Sequence, residues 1–357
     1  MAKIAINGMG RIGRAALKII LDSTNLDLVS VNDLMPLDNL VYLLRYDSVY
    51  GRYHRKIEIK DGNLVIDGKT IKFLSVKDPA ELPWKDLGID LVCECTGVFT
   101  NMEGMNKHLK AGAKYALLSA PPKGADVCCI VHGVTKPPAG EKAYSCASCT
   151  TNCISPVIEV IGRHFGIKKA IMTTIHAYTS SQAIVDGPAK KFARGRAGAA
   201  NFVPTSTGAA KAVTDILPQY KGKFDGVAVR GPVPCGSMAD IVMVLEKSTT
   251  AEEVNNILRQ EAETPQYKKI LGVAEDPLVS SDIIQDPRAS VVELSMTQVV
   301  KNEVGTAWIR TLANVVFVVA SCLPVSAEAA STTPTPGLTM LTAVSPTIKA
   351  TVVTISK

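Results

Sequence analysis

The sequence contains no block of Lys or Arg, although its formal net charge is +6. Charges of both signs are interspersed, which argues against a nucleic-acid footprint and leaves a mildly basic surface suited to small anions. No signal peptide precedes Lys3-Ile4-Ala5-Ile6, and no apolar run is long enough to span a bilayer. The nine cysteines are odd in number and fit free thiols in a reducing compartment. Cys146-x-x-Cys149 has no second such pair to complete a zinc site, and its flanks differ from a thioredoxin-like motif. These absences predict a cytoplasmic protein with no metal, no membrane and no nucleic-acid partner.

At 357 residues the chain is long enough for two domains with cores of their own. The first opens on an apolar strand, Lys3 to Ile6, which runs into Gly8-Met9-Gly10-Arg11-Ile12-Gly13 and then into helical spacing at Ala16, Leu17 and Ile20. Between a strand and a helix, this glycine pattern predicts a dinucleotide loop. Gly8 permits the tight turn, Gly10 lets backbone approach a pyrophosphate, and Gly13 allows close helix–strand packing. A second strand, Leu28 to Val31, ends at Asn32-Asp33, where a carboxylate about twenty residues past the glycines would accept hydrogen bonds from the adenosine ribose and favour NAD over NADP. Two later strands end in Thr96-Gly97 and in Ser119, the place where open parallel sheets bind ligands.

The second domain is organised around Ser148-Cys149-Thr150-Thr151-Asn152-Cys153, followed by apolar spacing at Ile154, Val157, Ile158 and Ile161. That spacing puts Cys149 in the first turn of a helix, where unpaired N–H groups and the helix dipole favour a thiolate. Most cysteines are simply packed as small hydrophobes. Here a strand ending at His176 supplies a base that could take the thiol proton. The segment from Ser180 to Val203 is basic, aperiodic and long enough to be functional. Pro204-Thr205-Ser206-Thr207-Gly208-Ala209-Ala210-Lys211 then offers hydroxyls and amides at a helix start, a ready anion site, with Arg194 and Arg230 as its charged company.

From Ile4 to about Val300 the sequence resembles phosphorylating glyceraldehyde-3-phosphate dehydrogenases. Ser148 to Cys153, Pro204 to Lys211, Leu43-Leu44-Arg45-Tyr46-Asp47-Ser48-Val49 and Glu94-Cys95-Thr96-Gly97-x-Phe99 carry the resemblance. It implies a Cys149 nucleophile with His176 as base, a thiohemiacetal and then a thioester, which inorganic phosphate cleaves. It also implies that Thr179 and Arg230 hold the phosphate of glyceraldehyde 3-phosphate, while Ser148, Thr150, Arg194, Thr207 and Gly208 receive the attacking phosphate. NAD is the implied cofactor, with Gly8, Gly10, Arg11, Ile12, Gly13, Asp33, Thr96, Gly97 and Ser119 around it, and a homotetramer is the implied assembly. Gly187-Pro188 matches the NAD-preferring members, whereas Gly231-Pro232-Val233-Pro234-Cys235-Gly236 departs from the pattern. Erythrose-4-phosphate dehydrogenase is a related alternative. Aspartate-semialdehyde dehydrogenase would not carry the Thr207-Gly208 and Arg230 pattern.

The expected architecture is α/β: a Rossmann-like NAD-binding domain over 1–148, then an α+β catalytic domain over 149–304 with a mixed or antiparallel sheet. The resemblance fails after Val300. A late strand of the family's catalytic sheet is not evident, and Lys301-Asn302-Glu303-Val304-Gly305 only echoes the motif whose Asn holds the nicotinamide carboxamide. Arg310 to Leu323 reads as an apolar run like a misplaced secretory signal, and the Thr-, Ser- and Pro-rich remainder as partly disordered. Residues 305–357 are therefore expected to be an atypical tail from a rearranged or frameshifted terminus. A damaged end would leave a catalytically impaired protein acting by binding alone, the alternative from a different class.

Overall fold

A short apolar run buried on both faces opens the chain as β1 (Ala2–Asn7), which turns through the glycine loop into α1 (Arg11–Asp22) and returns as β2 (Leu26–Asn32). The two strands pair in parallel, and Ala16, Leu17 and Ile20 of α1 are buried, so the helical spacing in the sequence is the face that packs inward. This computed structural model describes residues 1–301 and 307–315.

After α2 (Leu37–Arg45) come the short pair β3 (Tyr46–Asp47) and β4 (Gly51–Arg52), then a meander of β5 (Ile57–Lys60), β6 (Asn63–Ile66) and β7 (Lys69–Leu74). Its turns are Asp61-Gly62, at φ 49° and 71°, and Asp67-Gly68, at φ 48° and 82°. Positive φ at both central residues is the twist that tight hairpins need. The first unit continues through α3 (Trp84–Leu87), β8 (Leu91–Glu94), α4 (Met102–Lys110), β9 (Tyr115–Leu118), β10 (Cys128–Cys129) and β11 (Ala143–Ser145). Its nine-stranded sheet runs β10-β11-β9-β8-β1-β2-β7-β6-β5. Pairing is parallel from β10 to β7 and antiparallel in the meander. Leu118, Glu94, Asn7, Asn32 and Leu74 lie side by side in register, so the carboxyl ends of β9, β8, β1, β2 and β7 form one row.

The second unit contains α5 (Cys149–Phe165), β12 (Ile167–Ala177), β13 (Val203–Ser206), α6 (Ala209–Ile216), β14 (Phe224–Gly231), β15 (Ser237–Leu245), α7 (Ala251–Ala262), β16 (Leu271–Ala274), β17 (Ser290–Lys301) and β18 (Ala307–Val315). The seven-stranded sheet runs β13-β14-β12-β15-β18-β17-β16. It is mixed: β12–β14 and β16–β17 are parallel, the other pairs antiparallel. Burial alternates strictly along β15, and Val157, Ile158 and Ile161 of α5 are buried. The units divide as Met1–Ile130 with Lys136–Ala147, and Val131–Thr135 with the described part of 148–321.

The late strand that looked missing is present as β18, and residues 307–315 belong to the catalytic sheet, not to a tail. Ala307, Ile309, Thr311 and Ala313 are buried while Trp308 and Arg310 are not. The alternation holds to Thr311, beyond which Leu312 and Asn314 are buried as well, and β18 pairs with β15 on one edge and β17 on the other. Arg310, read as the start of a signal-like run, faces outward and binds Asp240 through two bonds of 2.8 and 2.9 Å. Asn302 and everything from residue 316 onward lie outside the described residues. Among the described residues no helix is long and apolar enough to cross a membrane.

Candidate active site

The glycine loop is built as its spacing requires. A Cβ on Gly13 would sit 1.9 Å from the Gly8 carbonyl oxygen, and Gly8, at φ 95°, would place one 2.6 Å from the Thr96 nitrogen. A Cβ on Gly10 would meet nothing within 4 Å, which leaves its backbone open to a ligand at the start of α1. Asp33 accepts from the Met9 N–H at 2.5 Å and from the Met35 N–H at 2.8 Å, which fixes its carboxylate against the loop. Thr96 and Gly97 are exposed just past β8, and Ser119 follows β9 with its N–H on the Glu94 carbonyl at 3.0 Å. Arg11 turns its side chain over Tyr50 and toward Asp47, leaving its backbone and that of Ile12 in the first turn of α1. These residues fit a dinucleotide: the close packing needs two glycines, and the third stands where only a ligand would approach.

Cys149 is the first residue of α5. Ser148 caps the helix, its Oγ accepting from the Thr151 N–H at 3.0 Å and lying 2.7 Å from Thr151 Oγ1. Just before the cap, Ala147 adopts φ 56°, an uncommon conformation for a residue with a side chain. Cys149 Sγ lies 3.5 Å from His176 Nε2. Thr150 is buried in the same first turn, and Cys153, one turn on, is fully buried with its thiol pushed up to about 12 by desolvation.

Strand pairing brings the charged partner to His176. The histidine is second from the end of β12, and Arg230 is its register partner on β14. Arg230 Nη1 lies 2.7 Å from His176 Nδ1 and donates to the Ala177 carbonyl at 2.9 Å, while Nδ1 is also 2.7 Å from that carbonyl. A neutral imidazole can satisfy only one of these neighbours at Nδ1. With Nδ1–H donated to Ala177, the Nε2 lone pair faces the sulfur; with Arg230 donating to Nδ1, Nε2–H faces it. Burial, and next the Arg230 charge, push His176 down to about 4, so the ring is neutral near pH 7.

Two guanidiniums converge here. Burial and the neighbouring Arg194 charge lower the Arg230 pKa, and its Nε is buried with no hydrogen-bond partner. Arg194 bonds to Thr205 Oγ1 at 3.2 and 3.1 Å. Among the described residues neither arginine is paired with a carboxylate, an arrangement suited to an anion. Thr207 Oγ1 accepts from the Ala209 N–H at 3.1 Å at the start of α6, and Gly208 has open space where a Cβ would be. Thr179 bonds to Ser181 at 2.9 Å, three residues past His176. The divergent 231–236 loop packs back on β12: the Gly236 carbonyl accepts from the Ala177 N–H at 3.0 Å, and the Val233 carbonyl from the Tyr178 N–H at 3.2 Å.

Direct contact thus joins Cys149, His176 and Arg230, with Arg194 near enough to shift both His176 and Arg230. The sequence reading named Thr205 only within the run from Pro204 to Lys211 and not as the partner of Arg194, and it gave no role to the Ala177 carbonyl or to a buried cluster of Asn7, Asn32, Glu94, His108 and Trp84 beneath the glycine loop. The signal was there for part of it: Asn7, Asn32 and Glu94 are polar residues that each end a strand directly after an apolar residue or cysteine.

A sequence model of the glyceraldehyde 3-phosphate dehydrogenase NAD binding domain matches residues 2–102, and that of the family's C-terminal domain matches residues 148–309. The chain is 45% identical to a glyceraldehyde-3-phosphate dehydrogenase of Streptomyces coelicolor, over 83% of this chain and 89% of that protein. It is 44% identical to one of Clostridium pasteurianum, over 87% and 92%, and 46% identical to one of Borreliella burgdorferi, over 84% and 91%. The chain belongs to the glyceraldehyde-3-phosphate dehydrogenase family.

Proposed function

We propose that the chain oxidises and phosphorylates D-glyceraldehyde 3-phosphate to 1,3-bisphosphoglycerate with reduction of NAD, as a cytoplasmic homotetramer. The observation that carries the chemistry is Cys149 Sγ at 3.5 Å from the Nε2 of a buried, neutral histidine, beside Arg194 and Arg230, which have no carboxylate partner among the described residues. His176 takes the thiol proton, and Cys149 attacks the aldehyde carbon to form a thiohemiacetal. NAD, held by the Gly8–Gly13 loop, Asp33, Thr96, Gly97 and Ser119, would supply the hydride acceptor; His176, having given its proton to the thiohemiacetal oxygen, takes that hydroxyl proton back as the thioester carbonyl forms on Cys149. Inorganic phosphate attacks the thioester carbonyl, the carbon–sulfur bond breaks, and Cys149 leaves as a thiolate. Arg230 and Thr179 hold the substrate's own phosphate, while Arg194, Ser148, Thr150, Thr207 and the Gly208 N–H receive the attacking one.

The cysteines among the described residues are joined in no disulfide, which supports a reducing compartment. Exposed Ile184, Val185, Phe192 and Phe202 along the basic loop support self-association. The test is NADH formation from glyceraldehyde 3-phosphate, NAD and phosphate. Cys149→Ser should lower the rate by at least about 1,000-fold while NAD still binds. A folded, NAD-binding native chain that forms no NADH would defeat the reading, and a faster rate with erythrose 4-phosphate would change the substrate.

A further inference from the structure

The row of strand ends in the first unit carries three polar side chains where a parallel sheet is normally apolar. Asn7, Asn32 and Glu94 are register neighbours on β1, β2 and β8, all essentially buried. The Glu94 carboxylate accepts from Asn7 Nδ2 at 2.6 Å, from the Thr96 N–H at 2.8 Å, from Thr96 Oγ1, and from His108 Nε2 at 2.9 Å. Trp84 Nε1 donates to His108 Nδ1 at 3.1 Å, which leaves the ring proton on Nε2, aimed at Glu94. Asn32 Nδ2 donates to Asn7 Oδ1 at 2.7 Å and to the Val76 carbonyl at 2.9 Å. A desolvated carboxylate with four donors and no cation among them is costly unless every donor keeps its place.

Asn7, Asn32 and Thr96 lead directly into the dinucleotide loops. Gly8 follows Asn7, its N–H donates to the Asn32 carbonyl at 2.8 Å, and it packs against the Thr96 backbone too closely for a Cβ. Asp33 follows Asn32 and holds the Met9 N–H. Thr96 Oγ1 accepts in turn from the Val98 N–H at 3.1 Å, which shapes the turn at Gly97. We propose that Glu94 is a positioning residue of the NAD site, setting through Asn7 and Thr96 the separation between the Gly8–Gly13 loop and the Thr96–Gly97 turn. His108 and Trp84 hold its carboxylate in one orientation. This inference rests on the dinucleotide reading of those loops.

The test is NAD affinity by calorimetry, read beside the melting temperature and the rate at which iodoacetamide alkylates Cys149. Glu94→Gln turns an amide N–H₂ toward donors and should weaken NAD binding by about ten- to a hundredfold. KM for NAD should rise in step while kcat at saturating NAD stays within about threefold. Melting should fall, since buried donors lose their acceptor, whereas Cys149 alkylation should hardly change. His108→Gln can still accept from the indole and donate to Glu94, and should keep NAD affinity within about threefold; His108→Leu should lose about tenfold. The pair decides the matter even if Glu94→Gln fails to fold. Equal NAD affinity in His108→Gln and His108→Leu, or losses that track melting and alkylation together, would overturn the proposal in favour of a purely structural network. A native chain that binds no NAD would instead bring down the dinucleotide reading beneath it.

Discussion

His176 refuses a proton that the unfolded chain would accept. Its ordinary value is 6.5 and the folded site holds it near 4. A depressed folded value means that its contribution to stability is full above about pH 6.5 and is lost as pH falls toward about 4, up to about 3 kcal/mol. Denaturant midpoints of the native chain should therefore drop across that window more steeply than those of His176→Gln. Arg230 is the second cause of the shift, so Arg230→Gln should move the acid limb of kcat/KM upward. It should also raise KM for the phosphorylated aldehyde by about ten- to a hundredfold, since a charge-assisted bond is removed. An unchanged acid limb in that variant would mean that burial alone sets the histidine. Cys149 and His176 were legible because each stands at the end of a periodic run, a local pattern. The partners of Thr205 and of the Ala177 carbonyl were not, because strand pairing of β13 and β12 with β14 is what supplies them.

Among the elements, α5 couples stability to chemistry at its first turn. Ser148→Ala removes the cap on Thr151 and should cost about 1 kcal/mol, visible as a lower denaturant midpoint. The sequence reading carried this helix straight across Pro156, and the structure keeps it continuous to Phe165 with Pro156 buried. Most of the first unit was readable for the same reason, since glycine loops, Asp-Gly turns and apolar runs are signals a few residues long. β7, β13 and β16 were not, because short strands declare themselves only when a neighbour supplies the other half of the ladder. β18 was hidden differently: its pattern merges into an apolar run, and the family motif to which such a strand should lead is echoed only faintly, before it, at residues 301–305. Placing a charge inside it separates packing from surface pairing. Ala313→Asp, at a fully buried position, should cost about 4 kcal/mol or more and leave little soluble protein, whereas Arg310→Ala should cost less than about 1 kcal/mol.

For the whole molecule, ligand linkage gives the simplest check on the nucleotide reading. NAD at about a hundred times its Kd should stabilise the folded chain by about 2.7 kcal/mol, seen as a raised melting transition in calorimetry. Assembly is tested by light scattering behind a sizing column, where Phe192→Lys, at a side chain 91% exposed, should shift the population toward smaller species. One consequence of the sheet order concerns synthesis. β18 is the last described strand to leave the ribosome, yet it lies between β15 and β17, with three strands on one side of β15 and β16 beyond β17. Until residue 315 has emerged, the nascent catalytic sheet consists of two fragments with facing open edges that have nothing to pair with but each other or another chain. The nucleotide unit has all its described strands by Ser145 and can fold early. The nucleophile's own unit must wait until residue 315 has emerged, and its two open edges stay exposed through that interval.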